Sequence, residues 1–321
     1  MALFPVVAGY ALGQEPPAVD AKPTATDSEP PAVASMPPTE PALRAGRLLR
    51  LRLPITGNAD SAFRSIVQRT KQRLLDESTG EQRPVIVIEF APLAEGEGFG
   101  QGSDFARALS LARYLTSDEL AGVKTIAYLP RTVKGHGVLV ALACEEIAMA
   151  ATAELGEAGI DEDATKPIET AVIEGYRQIT RARRTAPEAI AIGMLDRASE
   201  VLEVETEASI EFVERGDLAT IEQEQTVIRI TPLFPPGTMG IITAREGRMF
   251  GAVKYVAGDR DSLAGLLRID AGALAEDAAL VADWRPVFYT IDGPITAAAT
   301  SRAKRLIDNE IAQDGANWIG L

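Results

Sequence analysis

The chain holds a single cysteine, Cys144, and a single histidine, His136. One thiol cannot close an intrachain disulfide or build a Cys-rich metal site. One imidazole excludes a multi-histidine metal centre. Neither a metal nor a cofactor is expected. Basic residues are also short: 32 Lys and Arg stand against 46 Asp and Glu, a formal net charge of -14. That balance, with the basic residues dispersed, argues against a dedicated nucleic-acid binder, which presents a basic face. The one short basic run, Arg181, Arg183 and Arg184, reads as a solvated helix end. No segment supplies the roughly 20 apolar residues that span a bilayer.

What is present suffices for a sizeable core: 46% of the 321 residues are hydrophobic. Residues 1–13 are almost wholly apolar and end in Ala11-Leu12-Gly13, small residues at signal-peptidase spacing. They are expected to be a signal-peptide remnant, with an exported protein of the periplasm or cell envelope as the consequence. Residues 14–44 carry Pro16-Pro17, Pro30-Pro31 and Pro37-Pro38 among Ala, Thr, Asp and Glu. Such a stretch buries too little apolar surface to offset chain entropy and reads as a disordered linker.

Order is expected from about Gly46. Leu48 to Ile55 reads as a strand, and Phe63, Ile66, Val67, Thr70 and Leu74 mark one face of a helix. Pro84 to Phe90 is a continuous β-branched run of the kind a buried parallel strand shows. After glycines 96, 98, 100 and 102, Ser103 or Asp104 can cap a helix carrying Phe105, Leu109, Ala112 and Leu115. A strand over 123–129, a short helix opened by Gly135-His136-Gly137 and a strand over 146–150 follow. Helices are then expected over 167–183, with Ile168, Ala171, Val172, Tyr176 and Ile179 inward, and from Thr185. The alternation gives an α/β fold, a βα superhelix with a parallel sheet, over residues 45–205. Residues 201–285 mix strands (203–206, 226–230) and helices (243–250, 262–266), with 206–285 forming an α+β extension.

Residues 286–321 repeat the opening pattern. Leu53-Pro54-Ile55-Thr56-Gly57, a helix and Val85-Ile86-Val87-Ile88 are echoed by Ile291-Asp292-Gly293-Pro294-Ile295-Thr296, a helix with Ala303, Leu306, Ile307 and Ile311, and Trp318-Ile319-Gly320. The expectation is the start of a second, truncated copy of the domain.

Four segments, within about residues 48–200, resemble the ClpP-class membrane serine proteases of the NfeD and signal-peptide-peptidase type, which share the ClpP/crotonase fold. They are Leu53 to Gly57 with its helix, Pro84 to Phe90 with the glycine-rich loop, Val123 to Ala150, and Leu155-Gly156-Glu157-Ala158. The third is the most specific, matching the family's "GxAASAGvyIalaaDeivMap" core. The resemblance implies a serine at a helix N-terminus, a lysine base and a backbone amide for the oxyanion. It places the serine position at Gly135, and the lysine region at Tyr176 in Glu174-Gly175-Tyr176-Arg177; Lys166 lies earlier. Ala91-Pro92-Leu93-Ala94 stands where the family has "TPGG", leaving Gly100 or Gly102 to supply an amide only from a rearranged loop. Both catalytic groups are missing, so no catalytic residue is assigned.

The degenerate cleft is therefore expected around Gly100, Gly102, Gly135, His136 and Gly137. His136, without a carboxylate in sequence reach, reads as a capping or packing residue rather than a base. Cys144 reads as inert core, Ser103 as a helix cap, Lys134 as a solvated loop lysine, and the adjacent Glu145 and Glu146 as no acid–base pair. Three functions follow in order. The first is an inactive ClpP-class envelope protein that serves assembly or binds peptide or protein segments, with any hydrolysis in a second copy. The second is a scaffold without activity, and the third a crotonase-type acyl-CoA enzyme, disfavoured by export and the missing glycine pair. The family implies a homo-oligomer, and membrane association through regions outside the sequence.

Overall fold

The computed structural model describes residues 43–78, 82–92, 99–275, 286–288, 296–309 and 318–320. The expectations for residues 1–13, for nearly all of 14–44, for Gly96 and Gly98, and for the strand from Ile291 fall outside them.

The elements run β1 (Gly46–Leu53), α1 (Ala59–Glu77), β2 (Val85–Pro92), α2 (Phe105–Thr116), β3 (Lys124–Leu129), α3 (Gly137–Leu142), β4 (Glu146–Met149) and β5 (Glu154–Gly156). Next come α4 (Thr170–Arg183), α5 (Glu188–Leu195), β6 (Val201–Thr206), β7 (Ile210–Glu214), α6 (Leu218–Glu224), β8 (Val227–Phe234) and β9 (Ile241–Thr243). The described chain closes with α7 (Ala244–Met249), β10 (Tyr255–Val256), α8 (Arg260–Leu267), β11 (Pro286–Phe288), α9 (Ala297–Asn309) and β12 (Trp318–Gly320).

The main sheet has five strands in the order β1-β2-β3-β4-β10, all parallel. This is the α/β architecture with a parallel sheet that the alternation of strands and helices predicts. β2 sits in the middle of its neighbours and is buried from Val85 to Phe90, which explains its apolar run from Val85 to Ile88: a parallel strand covered on both faces has no solvated side to show. Each such aliphatic residue contributes about 1.5–3 kcal/mol on burial. One face packs Leu49, Leu51, Ile86, Ile88 and Leu129 against α1, α2 and α3. The other packs Leu48, Val85, Val87, Ile126 and Tyr128 against Leu263, Ala264 and Leu267 of α8.

α1 buries Phe63, Val67, Thr70 and Leu74, the face its periodicity marks. α2 starts behind Asp104, whose side chain accepts from the Arg107 N–H at 3.0 Å. Ser103 is not the cap. It is buried, and its hydroxyl accepts from the Ile55 N–H (3.0 Å) and donates to the Gly100 carbonyl (2.7 Å), tying the loop to the chain after β1. α4 starts after Ile168, and Ala171 faces solvent; Val172, Tyr176 and Ile179 point inward as expected.

Arg181 and Arg184 of the basic run are exposed at the end of α4, as expected, but Arg183 is not a solvated residue. Arg183 donates to the Ala143 carbonyl at 3.0 Å and to the Leu115 carbonyl, so one guanidinium staples the ends of α3 and α2. Arg181 makes a two-pronged pair with Glu188 at 2.7 and 2.8 Å.

Beyond residue 206 the chain keeps returning. β6, β7 and β8 form an antiparallel sheet in the order β7-β6-β8, β9 pairs antiparallel with β5, and β10 joins the main sheet beside β4. Near the C-terminus β11 and β12 pair in parallel across α9. Among the described residues no helix is long and apolar enough to cross a membrane.

Candidate functional site at the start of the third helix

β3 ends at Leu129 and the chain turns through residues 130–136 into α3. The turn needs a left-handed residue, and Gly135 supplies it at φ +63°. Its N–H donates to the Glu157 carbonyl at 3.1 Å. A Cβ at this position would fall 2.8 Å from Asp161 Oδ2 and 3.1 Å from the Gly100 carbonyl oxygen. The space is therefore closed as well as empty of a hydroxyl.

Asp161 is the group that closes it. Its Oδ2 accepts from the Gly102 N–H at 2.7 Å. Gly100 and Gly102 both hold positive φ, +109° and +84°. A Cβ on Gly100 would meet the Lys134 carbonyl oxygen at 2.7 Å, whereas the side of Gly102 is open except for Pro54 at 4.0 Å. Gly137 is packed against Leu53 and Val133, each 3.3 Å from a Cβ placed there. The five residues expected around the cleft lie near one another, and Asp161 and Glu162, which the sequence reading missed, join them from the loop after β5.

His136 sits at the N-cap position of α3 but makes no side-chain capping bond. It is 2% exposed. The absence of a carboxylate partner expected from sequence is corrected: Nε2 lies 3.0 Å from Glu162 Oε1, and Nδ1 lies 3.2 Å from the Tyr176 hydroxyl. The neutral ring satisfies both contacts, with Nε2–H donating to the carboxylate and Nδ1 accepting from the phenol. Phe105 packs its ring edge-on at 5.2 Å. Burial lowers the His136 pKa; the hydrogen bond to Glu162 and the charges of Glu162, Asp161 and Asp104 oppose that shift. Tyr176, fully buried where the resemblance implies a lysine, is pushed well above the usual phenol value, by burial first and then by Glu162 and Asp161.

Among the described residues no lysine takes the base position that the resemblance implies. Lys134 is not a solvated loop residue: its ammonium pairs with Glu157 at 2.5 Å. Lys166 is the exposed one, 2.9 Å from Asp163 on the surface. Cys144 is fully buried and its thiol pKa is pushed up to about 12 by burial, as inert core requires. Glu145 pairs with Arg83 at 2.6 Å and Glu146 with Lys124 at 2.7 Å, so the two serve separate ion pairs. No cluster of metal-ligating side chains occurs among the described residues.

No family model matches the chain, and no curated protein matches it. Among solved structures it is similar to the 1510-N membrane protease specific for a stomatin homolog from Pyrococcus horikoshii, at 13% identity and a TM-score of 0.40, over 72% of this chain and 85% of that one. It is similar to an enoyl-CoA hydratase/isomerase family protein from Silicibacter pomeroyi, at 14% identity and a TM-score of 0.38, over 70% of this chain and 80% of that one. A probable enoyl-CoA hydratase/isomerase from Mycobacterium abscessus is similar at 14% identity and a TM-score of 0.37, over 85% of this chain and 88% of that one.

Proposed function

We propose that the chain is a ClpP-class serine-protease-like protein of the cell envelope whose described domain is a pseudo-protease. Its work is to hold peptide segments or to assemble with copies of itself, and any peptide hydrolysis resides in a second copy of the domain. The observation that carries this reading is the Asp161 carboxylate, held on the Gly102 amide 2.8 Å from where a side chain on Gly135 would begin. Attack on a carbonyl needs a nucleophile and a base in mutual reach. Here the first position is glycine, and the region of the second is filled by the buried Tyr176. His136, paired with Glu162, is turned inward and is 2% exposed.

A pure scaffold is the second reading, favoured by the same closed geometry. An acyl-CoA enzyme has less support, because a thioester oxyanion needs a prepared amide and the Gly102 N–H is already bonded to a carboxylate. The purified protein is expected to remain unlabelled by a fluorophosphonate serine probe under conditions that label an active serine hydrolase completely. Stoichiometric labelling would overturn the pseudo-protease reading. Retention of a denatured polypeptide on the immobilised protein, without its cleavage, separates peptide binding from pure scaffolding.

A further inference from the structure

A pocket of about 510 Å³ opens on the sheet face that carries α8. Phe90 and Ala91 at the end of β2, Pro130 and Arg131 just past β3, and Gly258 and Asp259 just past β10 form its walls. It thus lies outside the carboxyl ends of parallel strands, where open α/β sheets hold their ligands. Its size falls within the range of small-molecule sites.

Its charge runs against that of the chain. Acidic residues outnumber basic ones 46 to 32 overall, yet this pocket is lined by Arg50, Arg131 and Arg260 against Glu89 and Asp259. Asp259 is also engaged elsewhere, capping α8 through the Ser262 N–H at 2.8 Å. Arg50, Glu89 and Tyr128 stand side by side in register on β1, β2 and β3. Glu89, 5% exposed, accepts from Arg50 Nε at 3.1 Å and from Arg260 Nε and Nη2 at 2.7 and 2.8 Å. A buried carboxylate that grips two guanidiniums fixes their planes, and fixed forks match oxyanions at lower entropic cost than free side chains. All three arginines hold further interactions, so a ligand joins a network already in place. Tyr128 adds a phenol held protonated, its pKa pushed up to about 12 by burial first and then by Glu89 and Asp259.

We propose that this pocket binds a small oxyanion, the carboxylate or phosphate group of a small organic acid, through Arg50, Arg131 and Arg260. The site is separate from the Gly135 cleft and does not depend on the pseudo-protease reading. The test is calorimetric titration of the full chain with inorganic phosphate and, separately, with acetate, ionic strength being held with chloride at about 0.15 M so that surface attraction is screened. Saturable binding by at least one probe is expected. Arg131 is exposed, so Arg131→Gln should leave the fold intact while weakening binding about tenfold, the worth of one charge-assisted hydrogen bond. Arg229→Gln removes the same charge beside Glu205 on β8 and should leave affinity within about twofold. Phosphate alone binding identifies a phosphate ester as the ligand class, acetate alone a carboxylic acid, and both the shared oxyanion. Saturation by neither probe, or equal weakening by the two substitutions, would overturn the proposal.

Discussion

Restoring the missing hydroxyl should fail, and the cost can be worked from the structure. Gly135→Ser puts a side chain on a residue at φ +63°. The left-handed conformation costs an L-residue about 1–2 kcal/mol. The new Cβ would begin 2.8 Å from Asp161 Oδ2 and 3.1 Å from the Gly100 carbonyl oxygen. The carbonyl is held in place, since Ser103 donates to it at 2.7 Å, so Asp161 is the group that must leave. Its departure forfeits a charge-assisted bond to the Gly102 amide, worth about 1.5 kcal/mol at the exposed end of the range. The sum is a loss of about 3 kcal/mol, read as a lowered midpoint in urea with an unchanged slope. Asp161→Ala alone should cost about 1.5 kcal/mol, and adding it to the serine variant should cost little more, because the bond to the Gly102 amide is already lost there; the cycle isolates that coupling. A single variant within about 0.5 kcal/mol of the parent, or one that takes up a fluorophosphonate probe, would refute the reasoning.

Cys144 should resist a thiol reagent such as dithiobisnitrobenzoate in the folded protein and react fully in guanidinium, since its thiol is fully buried with a pKa near 12. His136 predicts a pH dependence with a definite sign. Its folded pKa lies below the ordinary 6.5, so between the two values the unfolded chain binds more protons. Stability should hold above about pH 6.5 and fall as the pH drops toward the folded value; His136→Asn should flatten this part of a urea-midpoint profile. Arg183→Ala unpairs the Ala143 and Leu115 carbonyls and should cost about 2–4 kcal/mol, visible as a lowered thermal midpoint; Arg184→Ala, one residue on and exposed, should not match it.

The parts of the fold visible in the sequence are those whose signal is local. β2 announces itself by a continuous β-branched run because both of its faces are covered, and α1 by a face repeating every three to four residues. β9 and β10, of three and two residues, carry no period of their own; they are strands because β5 and β4 offer them edges. The site divides in the same way. Gly135 and its neighbours are legible because a tight turn needs glycine at positive φ. Glu162 is not, since it reaches His136 across 26 residues and a separate loop. Ser103 and Asp104 carry the same capping chemistry, and only the tertiary contact to Ile55 assigns their different roles. Arg183 reads as solvated until the ends of two helices are brought to it.

The stretch from Tyr255 to Leu274 acts as a girth strap for the sheet. It begins as β10 on the β4 edge, crosses one face as α8, and ends with Ile269 bridged to Arg44 at the opposite edge, beside β1. During synthesis the sheet's first four strands emerge about a hundred residues before this buckle exists. Until then Val85, Val87, Ile126 and Tyr128 have no cover, and β4 has an open flank. A nascent chain halted short of residue 255 would therefore be sticky, a natural client for a holding chaperone, and the same chain a few tens of residues longer would not.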